Sequence, residues 1–263
     1  MKTHKDLHSS TARLEKRGKK TFVVKTLTPT ELHNELFFYF ELKRAKLSKL
    51  ETFAENGELF VEYKDKAKTL SEKASPKAYE AFGAFMRQVH SINFLTPLII
   101  DQRGKEKATT WSKVIDRCLE EGEKGKGFSA STIKKAKDVI LKSGVKIYNH
   151  PAALLHCDIH QNNVLLDKGL TLIDAGSAVA AGDPLYDLAL LTIVLPGSVY
   201  LKKKKDQQYL AAFIKGYGMD FTKDRQRFDA YVLLRCLERW PNAFEKEIPK
   251  IVEVILSGAT TGN

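Results

Sequence analysis

Cysteine is scarce in this chain: Cys118, Cys157 and Cys236 are the only three among 263 residues, and no two form a Cys-x-x-Cys pair. An odd, widely spaced set excludes a disulfide framework and leads us to expect reduced thiols in a cytoplasmic protein. Long apolar runs are also missing. The best one, Leu188 to Leu195, falls far short of the ~18 residues that a membrane-spanning helix needs. The first ten residues, MKTHKDLHSS, lack the apolar stretch of a secretory signal. Negative charge is in the minority, with 32 Asp and Glu against 43 Lys and Arg, a net charge of +11. The basic residues concentrate in residues 1–25 and in the run Lys202 to Lys205. Such a surface attracts polyanions: nucleic acid, an anionic membrane, or phosphorylated and carboxylated metabolites. No aromatic residues interleave the lysine runs, as stacking on bases requires, so nucleic acid is not the favoured partner.

The hydrophobic fraction of 43% is that of a folded chain, and the length suffices for one large domain or two lobes. Residues 11–17 and 21–27 read as two strands joined by a turn around Gly18. Residues 30–50 read as a long helix with Thr30 as its N-cap, because Leu32, Leu36, Tyr39, Phe40, Lys43 and Leu47 recur near helical spacing. ETFAE and ELFVEYK flank Asn56-Gly57, the pair that a type I′ hairpin turn favours. Ser75-Pro76 opens a helix to about Ser91, and further helices are predicted near 109–121 and 130–143. Two short strands, NVLLD and LTLID, flank Lys168-Gly169, and the last 80 residues read as helical. The pattern is α+β. A small β-rich lobe with one long helix spans residues 1–64, and a larger, mainly helical lobe containing one β-hairpin spans 65–263.

The densest polar stretch, HCDIHQNNVLLDKGLTLIDAG, runs from His156 to Gly176. Three readings compete for it. His156, Cys157, Asp158 and His160 are zinc-ligand types, but they alternate too closely within one turn to converge tetrahedrally. A purely structural turn leaves carboxylates buried without a task, which is costly. Phosphoryl transfer accounts for the spacing better. It needs a carboxylate to take the proton of the attacking hydroxyl, and oxygen ligands to hold Mg²⁺ against nucleotide phosphates. Asp158, Asn163 five residues on and Asp174 eleven further supply those parts. The intervening hairpin brings Asn163 and Asp174 together, since paired strands lie ~5 Å apart.

At these residues the chain resembles a family. His156-Cys157-Asp158 with Asn163 resembles the catalytic loop of the protein-kinase-like fold, and Ile173-Asp174-Ala175-Gly176 its magnesium-binding turn. Gly182-Asp183-Pro184-Leu185-Tyr186-Asp187-Leu188-Ala189 is similar to the Gly-Asp-Pro…Asp segment of aminoglycoside phosphotransferases and choline-kinase-like enzymes. Protein kinases carry a long activation segment there, whereas only eight residues separate Asp174 from Asp183. Upstream, Val23-Val24-Lys25 resembles the strand lysine that meets the phosphates, with Glu35 as its ion-pair partner and Glu31 as the rival. Leu59 to Lys64 resembles the strand and hinge that bond adenine, through the Glu62 carbonyl and the Lys64 N–H. Phe85 to His90 resembles the helix end that precedes the catalytic loop, although plain core packing is the favoured explanation of that stretch.

The chain departs from the family pattern at Cys157, where glycine is usual, and at Ala175, where phenylalanine is. Only 24 residues precede Lys25, and His8-Ser9-Ser10-Thr11, which has no glycine, is the candidate phosphate-covering loop.

The resemblance implies a bilobal protein-kinase-like fold and an ATP-dependent (alternatively GTP-dependent) phosphotransferase acting on a small hydroxylated acceptor, whether aminoglycoside, sugar or amino alcohol. It implies Asp158 as base, Asn163 and Asp174 on Mg²⁺, and Lys25, Glu35, Ser9, Ser10, Glu62 and Lys64 around the nucleotide. Supporting roles fall to His156, Asp183 (as N-cap, with Pro184 first in its helix) and Asp187. The acceptor pocket is expected on the helices after residue 195, where Asp229, Glu238, Glu245 and Glu247 offer an acidic wall and the global charge argues for a neutral or anionic acceptor. Two other functions compete: a nucleotide-binding pseudokinase scaffold, and a basic protein that binds nucleic acid or anionic membrane.

Overall fold

Strand β1 (Ala12–Arg17) opens the part of the chain that the computed structural model describes, which comprises residues 12–124, 127–147, 150–176, 179–195, 199–239 and 246–258. β1 pairs antiparallel with β2 (Lys20–Thr26) around Gly18, whose φ of +60° suits glycine. Helix α1 (Pro29–Arg44) follows. Its N-cap is Thr28 rather than the predicted Thr30. The Glu31 N–H donates to Thr28 Oγ1, and the Thr28 N–H donates to Glu31 Oε2 at 2.9 Å, a reciprocal capping box with Pro29 inside it. The helix also stops at Arg44, short of the predicted residue 50. Lys46 takes φ +60°, and the Leu47 N–H turns back to Leu42 O at 2.8 Å, a helix stop of the kind glycine usually supplies.

β3 (Thr52–Glu55) and β4 (Glu58–Glu62) form the hairpin, with Asn56 at φ +51° and Gly57 at +78°. The sheet order is β1-β2-β4-β3, all antiparallel. Phe22, Val24 and Phe60 make a small core on one face. Strand alternation puts Lys25, opposite Leu59, on the other face, where Leu59 and Val61 join Leu32 and Phe38 of α1 in the main core.

The remainder is mainly helical. It contains β5 (Lys68–Thr69), α2 (Pro76–His90), β6 (Asn93–Phe94), β7 (Leu98–Ile100), β8 (Glu106–Ala108), α3 (Trp111–Lys124) and α4 (Ala130–Lys142). β9 (Ala152–Leu154), β10 (Val164–Leu166), β11 (Leu170–Leu172) and β12 (Ala181–Gly182) follow. The last helices are α5 (Leu185–Val194), α6 (Lys204–Tyr217), α7 (Arg225–Arg239) and α8 (Ile248–Leu256). The predicted hairpin is β10-β11, and β5 extends it to three strands. A five-stranded sheet, β6-β9-β12-β7-β8, was not anticipated, because strands of two or three residues are too short to show a period-two pattern. Ser75 caps α2 as predicted, accepting from the Ala78 N–H.

α5 is buried from Leu185 to Ile193, with Asp187 and Thr192 as buried polar side chains within it. It starts one residue later than predicted. Pro184 stands at its N-cap, and the Asp183 carboxylate instead accepts from the Leu185 N–H at 3.0 Å. Asp183 is fully engaged there, accepting from Tyr231 Oη at 2.6 Å and pairing with Arg227. Gly182 before it is dictated by Trp111, since a Cβ would lie 2.0 Å from the indole ring. Among the described residues no helix is long and apolar enough to cross a membrane.

Candidate active site

Lys25 is buried, and its ammonium reaches across to α1, donating to both carboxylate oxygens of Glu35 at 2.9 and 2.8 Å. Glu31 is occupied in the capping box, so the rivalry between the two glutamates resolves to Glu35. The same ammonium pairs with the carboxylate of Asp174, 149 residues away in sequence. Burial opposes the charge on Lys25, but Asp174 and Glu35 outweigh it and raise its pKa. Glu35 is pushed up to about 7, because its burial and the nearby Asp174 charge together exceed the pull of Lys25. Two carboxylates thus share one ammonium.

Asp174 sits in the left-handed region, at φ +59°, at the end of β11. Tyr39 of α1 accepts its N–H at 3.1 Å. The Ile173 N–H donates to Asn163 O at 3.0 Å, which extends the hairpin ladder to the two predicted ligands. Asn163 Nδ2 faces three acceptors: Asp158 O at 3.0 Å, Asp158 Oδ2 at 3.2 Å and Asp174 O at 3.4 Å. That set fixes the amide orientation by chemistry and leaves Oδ1 as the atom available to a cation. The Asn163 amide oxygen and the Asp174 carboxylate are hard donors, suited to Mg²⁺ bound mainly by water and phosphate oxygens. Among the described residues no cluster of three or more His, Cys, Asp or Glu is arranged to hold a metal by itself.

His156 works as a neutral bridge. Its Nε2–H donates to Ile173 O at 2.9 Å, so Nδ1 is the nitrogen that accepts the Asp158 N–H at 3.2 Å. An imidazolium has no lone pair for that second bond, and burial keeps the ring pKa low. Asp187, fully buried on α5, accepts the N–H groups of His156 and Cys157, each at 2.7 Å. His90 faces Asp187 at 3.3 Å and is hydrogen-bonded to Tyr217 Oη at 2.9 Å. Burial would raise the Asp187 pKa, but these partners hold it below the usual range. Cys157 itself takes φ +64°. Its Sγ donates to Val179 O at 3.0 Å, and Arg235 donates to its carbonyl.

Asp158 is part-buried at the centre of the loop. Its Oδ1 accepts from Arg239 Nη1 at 2.9 Å, and its Oδ2 lies 3.5 Å from His160 Nε2. Burial would raise its pKa, but His160 and Arg239 hold it well below the usual carboxylate range, so it is ionised. Ser9 and Ser10 lie outside the described residues. The Tyr63 N–H donates to Thr21 O at 2.8 Å, which by strand alternation turns the Glu62 carbonyl and the Lys64 N–H to the opposite edge. The Glu62 and Lys64 side chains pair with each other at 2.8 Å.

Tyr39, His160, Arg235 and Arg239 also belong to this centre, beyond the site residues to which the sequence points. In the sequence His160 stands out only as a zinc-ligand type. Isolated Tyr and Arg residues in amphipathic helices carry no local signal.

A family model described as the phosphotransferase enzyme family matches residues 5–231. No curated protein sequence matches the chain. Among solved structures, a thermostable mutant of the aminoglycoside phosphotransferase APH(4)-Ia, in ternary complex with AMP-PNP and hygromycin B, has a TM-score of 0.67 at 14% identity, covering 96% of this chain and 95% of that one. The choline kinase LicA from Streptococcus pneumoniae has a TM-score of 0.64 at 14% identity, covering 96% and 90%. A choline/ethanolamine kinase family protein from Mesorhizobium loti gives 0.60 at 17%, covering 96% and 86%. At such identities the structures speak for the fold, which is protein-kinase-like, while the family model speaks for the sequence: the chain belongs to the phosphotransferase enzyme family.

Proposed function

We propose that this chain transfers the γ-phosphoryl group of ATP, with GTP as the alternative donor, to a hydroxyl of a small molecule. The observation that carries the reading is the convergence of Asp158, Asn163 and Asp174 with the Lys25–Glu35 pair, from sequence positions up to 149 residues apart. In this reading residues 1–64 form the nucleotide-binding lobe, and 65–263 carry the catalytic loop and the acceptor helices. Lys25, oriented by Glu35, meets the nucleotide phosphates. The Glu62 carbonyl and Lys64 N–H face adenine. Asp158 takes the proton of the acceptor hydroxyl as its oxygen forms a bond to the γ-phosphorus. The bond from that phosphorus to the β-phosphate oxygen breaks, and its electron pair leaves with ADP. Asn163 and Asp174 are the residues that would hold Mg²⁺, whose chemistry is to neutralise charge on the phosphates. His156 and Asp187 keep the loop in place, so most of the catalysis is positioning and electrostatics. The hygromycin B in the APH(4)-Ia complex, and the choline-kinase neighbours, support an acceptor in the aminoglycoside, sugar or amino-alcohol range.

The test is ADP release from Mg-ATP across a panel of such acceptors. Asp158→Ala and Asp174→Ala should each lower kcat by at least about a hundredfold, in the range of lost acid–base or electrostatic catalysis. Wild-type turnover by either variant would defeat the assignment. Nucleotide binding with no transfer to any acceptor would favour the scaffold reading.

A further inference from the structure

We propose that Tyr39 is a positioning residue for the metal: its phenolic oxygen holds the Asp174 backbone in the conformation from which the carboxylate meets Mg²⁺. The inference rests on the phosphotransferase reading of Asp174 and deepens it. Asp174 takes φ +59°, in the left-handed region that an L side chain enters at a cost. Three hydrogen bonds to the main chain keep it there. The peptide group between Ile173 and Asp174 is held at both ends. His156 Nε2–H donates to its oxygen at 2.9 Å, and its N–H donates to Tyr39 Oη at 3.1 Å. The next carbonyl, that of Asp174, accepts from Asn163 Nδ2 at 3.4 Å. Because each peptide group is planar, fixing the groups on either side fixes φ and ψ of Asp174, and so the direction in which its carboxylate leaves the chain. Without the Tyr39 oxygen the first group keeps one anchor only. Its N–H then faces a buried ring with no acceptor, which favours any backbone conformation that finds one.

Water is a poor substitute for that oxygen, because Tyr39 is 2% exposed. Burial and the charges of Glu35 and Asp174 push its pKa well up, so the hydroxyl is neutral. A phenylalanine ring fills the same space and lacks only the oxygen. Helix α1 also carries Glu35, one turn before Tyr39 on the same face. Glu35 accepts from the Lys25 ammonium, and Tyr39 accepts from the Asp174 N–H. The two contacts serve different ligands, since Lys25 is assigned to the nucleotide phosphates and Asp174 to the metal. Loss of the Tyr39 hydroxyl leaves the Lys25–Glu35 pair in place. It should therefore weaken the metal contribution and spare binding of the metal-free nucleotide, a distinction that a contact serving only to pack the core does not make.

The experiment follows the melting temperature of the full chain at fixed AMP-PNP while Mg²⁺ is titrated, and measures AMP-PNP affinity in EDTA by calorimetry. In Tyr39→Phe the Mg²⁺ concentration that gives half the rise should increase by about five- to a hundredfold, the range for leaving one buried donor unpaired. Affinity for AMP-PNP in EDTA should stay at the wild-type value. Leu42→Val alters a fully buried core residue of the same helix. It should lower the melting temperature of the unliganded chain and leave the Mg²⁺ midpoint where it was. Circular dichroism of both variants checks that they fold. An unchanged midpoint in Tyr39→Phe overturns the inference and leaves the phosphotransferase reading standing. So does an equal shift in Leu42→Val, or a loss of affinity in EDTA as large as the loss with Mg²⁺, either of which makes Tyr39 only part of the packing of α1. A wild-type chain whose response to AMP-PNP is the same at every Mg²⁺ concentration overturns the phosphotransferase reading of Asp174 itself, and the inference with it.

Discussion

Cys157 occupies backbone territory that glycine enters freely and that an L side chain enters at a cost of about 1–2 kcal/mol. The loop sustains that cost because Asp187 takes its N–H, Arg235 its carbonyl, and Val179 O its thiol. Gly176 packs closely on the same residue, since a Cβ there would come within 3.1 Å of Cys157 Cβ and the loop would have to give by a few tenths of an ångström. Cys157→Gly should therefore leave the melting temperature nearly unchanged, relief of strain offsetting the lost packing. Cys157→Val places a branched Cβ in the same conformation and should cost about 2 kcal/mol or more by urea denaturation. Glu35 gives a second prediction at this scale. Its folded pKa, about 7, is raised above the ordinary glutamate value, so its contribution to stability is full below that ordinary value and is lost as pH rises through about 7. Wild-type protein should lose stability relative to Glu35→Gln between pH 5 and pH 8, although the variant loses transfer activity because Lys25 is no longer oriented. A stability difference that does not vary with pH would show that Glu35 ionises as an ordinary surface glutamate does.

Helices α2 and α6 meet backbone to backbone because glycines face the contact. A Cβ on Gly216 would stand 1.8 Å from Glu80 O, and one on Gly83 would stand 2.1 Å from Phe213 O. Tyr79 and Tyr209 stack across the same interface with centroids 4.5 Å apart. Gly216→Ala must push the two helices apart and should destabilise by at least ~2 kcal/mol, lowering the melting temperature by roughly 4–8 °C. Gly169→Ala, where nothing lies within 4 Å of the added carbon and φ is not positive, should be close to neutral. Legibility divides along similar lines. The β1-β2 and β3-β4 hairpins, α2, and the β10-β11 hairpin were readable because each is bounded by a strong local signal: Gly18, Asn56-Gly57, Ser75-Pro76 and Lys168-Gly169. The capping box at Thr28 and Glu31 is equally present in the sequence, two residues before the expected cap at Thr30. The stop of α1 at Lys46 was not readable, because a lysine does there what glycine announces elsewhere. The five-stranded sheet was hidden by strand length. Asp158, Asn163 and Asp174 were legible from spacing and residue type, whereas Arg239 and Tyr39 reach the site only through the packing of α7 and α1.

At the scale of the molecule, one ammonium connects the four-stranded sheet, α1 and the β10-β11 hairpin. Lys25 stands on β2, Glu35 on α1 and Asp174 just after β11. Each lies in a different part of the fold, so whatever takes up charge at this point couples those parts. The three groups carry one net negative charge when all are ionised, which favours an added cation over an added anion. The proposed Mg²⁺ brings positive charge to Asp174 and a bound triphosphate brings negative charge to Lys25, so each ligand relieves the repulsion that the other would create. Binding of the two should therefore be strongly cooperative. AMP-PNP alone should raise the melting temperature little. AMP-PNP with Mg²⁺ at about 100 times its dissociation constant should add close to 2.7 kcal/mol, a rise of roughly 5–10 °C for a chain of this size. In Asp174→Asn the carboxylate is gone, and the magnesium-dependent part of that rise should largely disappear. In Lys25→Met the nucleotide contribution should weaken, because no ammonium remains to meet the triphosphate beside Glu35 and Asp174. An equal rise with and without Mg²⁺ in the wild type would place the nucleotide away from Asp174 and break the link on which the catalytic reading depends.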